Sequence, residues 1–324
     1  PVVFCTGKET HVGEYYEGFC AAPVISRINL MLDGNPEYAD SLFGKSYPPF
    51  GCMRQMDLRR EYSATIMTKA FAFYSYLTST RLPGQILSEM RGIAMEALEA
   101  SIEKYRENTS SFAAMGGTTS KPRDWEPTVV SFDELSDMAE KVLGDGYARF
   151  MDETVGSAPE GSDERVRAAL LVESMVELCG IPGPMAVIGF LPPWYPHRSN
   201  LGETRGEKVV ADAASATAGE MERRFGLPLD IRPFFEGVSD LSYCGFQGDS
   251  SEMEVFARNM PGWGRPYRIP VEALAELDIP ILNLGPVGKD AHKNTERIHL
   301  PFMLEVFPNI LRFVVERIIE GYRS

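Results

Sequence analysis

Short apolar runs recur along this chain between longer amphipathic stretches. Residues 2–6, 128–132, 186–191, 229–235 and 279–284 are such runs, and each reads as a buried strand. The intervening stretches carry helical spacing. Phe19, Ala22, Ile25 and Leu32 mark a helix over 19–32, stopped at Gly34. Ile86, Met90, Ala94, Leu98, Ile102 and Tyr105 trace a longer one, opened by Pro83. Further helices are expected over 133–150, from a Ser162 or Asp163 cap to Leu178, over 207–225 and over 307–322. In the last of these, Leu311, Val314, Ile318 and Ile319 share a face. Residues 53–58 and 62–68 read as strands, and 70–77 as strand or helix. Helices alternating with buried strands confine the chain to an α/β sheet.

At 324 residues the chain has length for about two domains. Up to residue 132 the order strand, helix, strands, helix, strand predicts a ferredoxin-like α+β layer. An α/β domain is expected from 133 onward, with 246–278 on its surface. Residues 108–127, rich in Ser, Thr, Gly and Pro, read as a loop. The formal net charge is −14 and no basic stripe occurs, which argues against nucleic acid and anionic membranes as partners. No apolar run approaches the roughly 20 residues that span a bilayer, and no signal-peptide pattern opens the chain. The five cysteines are scattered, with no Cys-x-x-Cys, as expected of a reduced cytoplasmic protein.

Polar chemistry crowds just past the last apolar run, in Gly285-Pro-Val-Gly-Lys-Asp-Ala-His-Lys-Asn-Thr-Glu-Arg297. The carboxyl ends of strands are where open α/β sheets bind ligands. His292 reads either as a loop histidine bonded to a neighbour or as a metal ligand. In the second case Glu296 would orient it and Arg297 would be the charge partner of Glu296. A mononuclear site from Asp240, Asp290 and His292 is a further option. His11, between a strand and a helix, reads as a turn residue or a site residue. Ser239 and Asp240 are either a turn or N-cap, or part of a pocket. Asp57, Arg59 and Arg60 form a charged run, in which an arginine suits a substrate carboxylate. Trp194 and Tyr195 suit a cleft wall, a core or a rim. His197 and His299 read as ordinary structural histidines.

The segment Gly-Pro-x-Gly-Lys-Asp-Ala-His-Lys-x-Thr-Glu-Arg resembles the C-terminal histidine segment of the M20 family of metallopeptidases and amidohydrolases. It is most similar to the arginine-utilisation, RocB-like branch. Four more segments match in order: Gly7–Glu14, Gln55–Arg59 with Glu61–Ser63, Gly237–Tyr243 and Asn259–Pro261. The resemblance implies a ferredoxin-like lid or dimerisation domain, residues 1–132. The C-terminal part of a zinc-peptidase-like α/β catalytic domain, residues 133–324, would follow. It implies two zinc ions, with His292 as a ligand, and amide hydrolysis of an N-acyl amino acid or short peptide. It also implies that His11 steadies an oxyanion, that Ser239 and Asp240 line the pocket, and that the protein is a homodimer. The family's upstream His-x-Asp and Glu-Glu ligands have no counterpart here. The chain opens at Pro1 directly on a strand-like run, and is expected to be the downstream part of a longer enzyme, inactive alone. The alternative is a catalytically silent binding or dimerisation module.

Overall fold

The computed structural model describes residues 1–324 apart from 60–62, 120–122, 233, 234, 236, 238, 249 and 266. The elements in order are β1 (Val2–Thr6), α1 (Ala22–Leu32), a hairpin of β2 (Ser41–Leu42) and β3 (Lys45–Ser46), β4 (Gly51–Asp57) and β5 (Lys69–Ser75). Then come α2 (Pro83–Ala114), β6 (Thr128–Ser131), α3 (Phe132–Leu143), α4 (Tyr147–Gly156), α5 (Glu164–Cys179) and β7 (Met185–Gly189). The rest is α6 (Arg205–Phe225), α7 (Ser250–Arg258), α8 (Val271–Leu277), β8 (Gly288–Lys289), β9 (Arg297–Ile298) and α9 (Phe307–Arg323). The fold is mixed α/β, and its chain divides into two compact units.

The first unit comprises Pro1–Ser41, Ser46–Trp194 and Gly248–Ile269. Its sheet has the order β4-β5-β1-β7-β6, antiparallel except for the parallel pair β6·β7. The sheet therefore takes strands from both sides of residue 132. All five residues of β1 are buried, because the sheet is covered on both faces. Val2 and Phe4 join Val130, Met185 and Val187 in a core closed by Leu135, Leu171, Val172 and Met175 of α3 and α5. The alternate residues Val3 and Cys5 face the side where α1 and α2 pack. Helix α5 starts at Asp163, whose carboxylate accepts from the Arg165 and Val166 amides. The helix expected over 133–150 is two helices, because Gly144 turns to φ +51° between α3 and α4.

The segment 248–269 returns to this unit. Asn259 is buried; its carbonyl accepts from the Phe190 amide and its Oδ1 from the Asp133 amide. Residues 250–258 are helical and bury Met253 and Phe256, where a surface segment was expected.

The second unit comprises Leu42–Lys45, Tyr195–Gln247 and Pro270–Ser324. Helices α6 and α9 pack together over Met221, Phe302 and Ile310. A Cβ at Gly206 would stand 2.6 Å from the Tyr322 hydroxyl, and one at Gly321 would stand 2.7 Å from Val209, so glycine permits this approach. Helix α6 opens with a capping box, Thr204 and Glu207. On α9 the buried residues are Ile310 and Val314, whereas Leu311 and Ile319 of the expected face are exposed.

Among the described residues, three expected strands do not form. Residues 279–284 are extended but belong to no ladder. The amide and carbonyl of Ile281 bond instead to the carboxamide of Asn200, at 3.0 and 2.6 Å, and the Ile279 amide bonds to the Cys244 carbonyl. Side chains and loop thus satisfy a backbone that an apolar run alone cannot pair. Among the described residues of 229–235 there is likewise no strand; Ile231 is exposed, and the flanking Asp230 and Arg232 form an ion pair. Among the described residues of 62–68 only Thr65 makes a bridge, and the strand is β5. Among the described residues no helix is long and apolar enough to cross a membrane.

Candidate functional site

In the first unit, two of the segments singled out by sequence meet around His11. Gly7 opens the loop. A Cβ there would come within 1.9 Å of the Phe19 carbonyl oxygen, which accepts from the Lys8 amide. Only glycine lets the two backbones pass so close. His11 then caps a 3-10 turn, Val12–Glu17, and its Nδ1 accepts from the Gly13 amide at 3.0 Å. An imidazole whose Nδ1 accepts carries its proton on Nε2. His11 is exposed, so this Nε2–H is a donor on the surface of the unit.

His11 also faces Thr65 in an antiparallel bridge. The Val12 amide donates to the Ala64 carbonyl and the Ile66 amide to the Thr10 carbonyl, at 2.8 and 3.1 Å. The facing pair itself exchanges no bonds, so its side chains stand close together on one face. The Thr65 carbonyl points away from residues 10–12. It accepts from Arg59 Nη1 at 2.9 Å. Asp57, at the end of β4, holds Arg59 twice: Oδ1 accepts from its amide at 2.8 Å and Oδ2 from its Nε at 2.5 Å. Arg60 lies outside the described residues.

The second unit carries the other expected residues. Ser239 Oγ accepts from the Leu241 amide and caps the turn Asp240–Cys244, which is the plainer of its two expected roles. Asp240 is exposed. The Gly237–Tyr243 segment is described except for Val238. His292 sits at φ +62° in the exposed turn between β8 and β9, and Asp290 at φ +58°. Both lie in the left-handed region that non-glycine residues seldom enter. Arg297 pairs with Asp290, not with Glu296. Glu296 Oε2 accepts from the His292 amide at 3.3 Å, so it holds the backbone of His292 where an imidazole contact was expected. Among the described residues no group of three or more His, Cys, Asp or Glu side chains gathers as a metal site. His299 Nδ1 accepts from the Phe302 amide, a structural role.

Sequence reading passed over Arg198, whose side chain is fully buried beside Glu207, itself 2% exposed. Arg198 Nη1 donates to Glu207 Oε1 at 3.1 Å, and its Nε donates to the Ile279 carbonyl and lies 2.8 Å from Asp278 Oδ1. Burial would raise the Glu207 carboxyl. The Thr204 amide, Arg198 and the Glu203 amide outweigh it and hold the group below the ordinary range. Arg198 so ties the start of the 279–284 run to the first turn of α6. A charged residue six places before a capping box was the available signal, and it is a weak one.

No family model matches the chain, and no solved structure does. Two proteins of Bacillus subtilis (strain 168) do. The uncharacterized protein YqjN is 30% identical over 322 residues, 99% of this chain and 57% of YqjN. Protein RocB is 23% identical over 325 residues, all of this chain and 57% of RocB. The similarity to RocB runs along the whole of this chain. It spans a little over half the length of each of these relatives. The RocB-like likeness thus covers both compact units, the His11 loop and the His292 turn alike.

Proposed function

We propose that this chain is the downstream part of an M20-like amide hydrolase. Its substrate is an N-acyl amino acid or short peptide, in keeping with the arginine-utilisation branch it resembles. In this reading residues 1–132 serve as lid and dimerisation part, and 133–324 as the C-terminal part of a catalytic domain. The enzyme is a cytoplasmic homodimer. The observation that carries the reading is the Gly13 amide on His11 Nδ1, which leaves Nε2–H as an outward donor. When water attacks an amide carbonyl, negative charge develops on the carbonyl oxygen. A donor already aimed there stabilises the transition state without reorganising. Ser239 and Asp240 would shape the pocket of the same enzyme.

The described residues of this chain do not by themselves fit the two zinc ions that the resemblance implies. His292 offers one imidazole, while Asp290 is engaged by Arg297 and Glu296 by the His292 amide. A zinc site needs three or four protein ligands. The remaining ligands would come from outside the described residues.

The test is a hydrolysis assay of the RocB-length polypeptide carrying this chain, on a panel of N-acyl amino acids and short peptides. His11→Ala is expected to lower kcat by about 10²- to 10³-fold with a much smaller change in KM. An unchanged kcat would remove His11 from the mechanism, and no hydrolysis of any panel member would remove the activity.

A further inference from the structure

We propose that Asp57 and Arg59 are positioning residues for His11, acting through the carbonyl of Thr65. The inference rests on the reading of His11 as an oxyanion donor. Its evidence is the small ladder between residues 10–12 and 64–66. Two backbone bonds hold this ladder on its inner side. On its outer side the Thr65 carbonyl would look to a third strand; among the described residues none pairs with it, and the Arg59 guanidinium takes that place. Arg59 is a long side chain with considerable rotamer entropy to lose. Asp57 restrains it at both its backbone and its Nε, so the guanidinium reaches Thr65 from a fixed geometry. The Ser63 and Thr65 hydroxyls lie 3.0 Å apart, a further polar contact at Thr65.

His11 and Thr65 are side-by-side residues of a non-hydrogen-bonded pair, so any shift of Thr65 is felt by the imidazole. The Gly13 amide can hold Nδ1 only while the loop keeps its present path. A Cβ at Gly13 would already stand 3.1 Å from Nδ1, which shows how little room the ring has on that side. The chain Asp57, Arg59, Thr65, His11 therefore links two segments some fifty residues apart in sequence into one arrangement that sets the tautomer of the imidazole.

The experiment is long-range ¹⁵N–¹H correlation NMR of the histidine side chains in the 324-residue chain, with His11 assigned by His11→Gln. Wild type is expected to show His11 protonated on Nε2 alone. In Arg59→Ala, His11 is expected to become a mixture of both tautomers while the other three histidines stay as they were. Amide exchange at Val12 and Ile66 is expected to run about tenfold faster. Arg59→Lys keeps one donor for Thr65 and should restore the single tautomer in part; it also serves if Arg59→Ala does not fold. A single Nε2–H tautomer that survives both substitutions overturns the positioning role alone. A mixture of tautomers already present in wild type overturns the oxyanion reading, and this inference with it.

Discussion

Asp40 is 4% exposed and gathers donors from one short loop. Its Oδ2 accepts from the Ser79 and Thr80 amides at 2.7 Å and from the Thr78 hydroxyl at 2.6 Å; its Oδ1 accepts from the Thr80 hydroxyl. Burial would raise this carboxyl, but the hydroxyls of Thr78 and Thr80 and the two amides outweigh burial and hold it far below the ordinary carboxylate range. An unfolded Asp titrates near ~3.9. The folded value lies lower, so the network's stabilisation is complete above that pH and fades as pH falls toward the folded value. Asp40→Ala strands several buried donors and is expected to cost on the order of 3 kcal/mol at neutral pH. Urea unfolding of wild type and variant from pH 7 downward should show that gap constant to about pH 5 and narrowing below about pH 4. A gap that widens in acid would contradict the assignment. Nothing in the sequence around Asp40 announces this network, because apart from the Ser41 amide its donors lie some forty residues away. His11 and Arg59, by contrast, were legible as residue types in motifs, though not as neighbours.

At the scale of elements, the readable ones carry their own signals. Asp163 announces α5, Thr204 and Glu207 announce α6, and a run of four buried apolar residues announces β1 and again β7. A strand also needs a neighbour, and periodicity says nothing about one. Residues 279–284 have the apolar run without the ladder, and Asn200 stands in for the missing strand with both arms of its carboxamide. Asn200→Leu keeps the approximate volume and removes both bonds, leaving the Ile281 amide and carbonyl unpaired. The expected loss is about 1–3 kcal/mol, with faster hydrogen exchange at the Ile281 amide and little change in the first unit. Unaltered exchange at Ile281 would mean that water satisfies that backbone as well as Asn200 does.

At the scale of the whole molecule, reading the chain in order conceals that residues 248–269 return to the first unit after 195–247 have built part of the second. The Asn259-Met-Pro261 motif was visible, but its use, pinning the end of β7 and the start of α3, is a tertiary fact. The two units differ in what holds them. The first has a broad apolar core on a five-stranded sheet. The second has a small core, Met221, Phe302 and Ile310, supplemented by the buried Arg198–Glu207 pair. Removing one member of a buried pair leaves the other charge uncompensated, at a cost of about 3–5 kcal/mol. Arg198→Ala should therefore speed amide exchange throughout α6 and α9 while β1, β5 and β7 keep their protection. Glu207→Gln retains an acceptor for Arg198 and should cost less. Were exchange in the central sheet to rise in step with that of α6 and α9, the two units would unfold as one, and the pair would be a support of the entire chain rather than of the smaller core beside it.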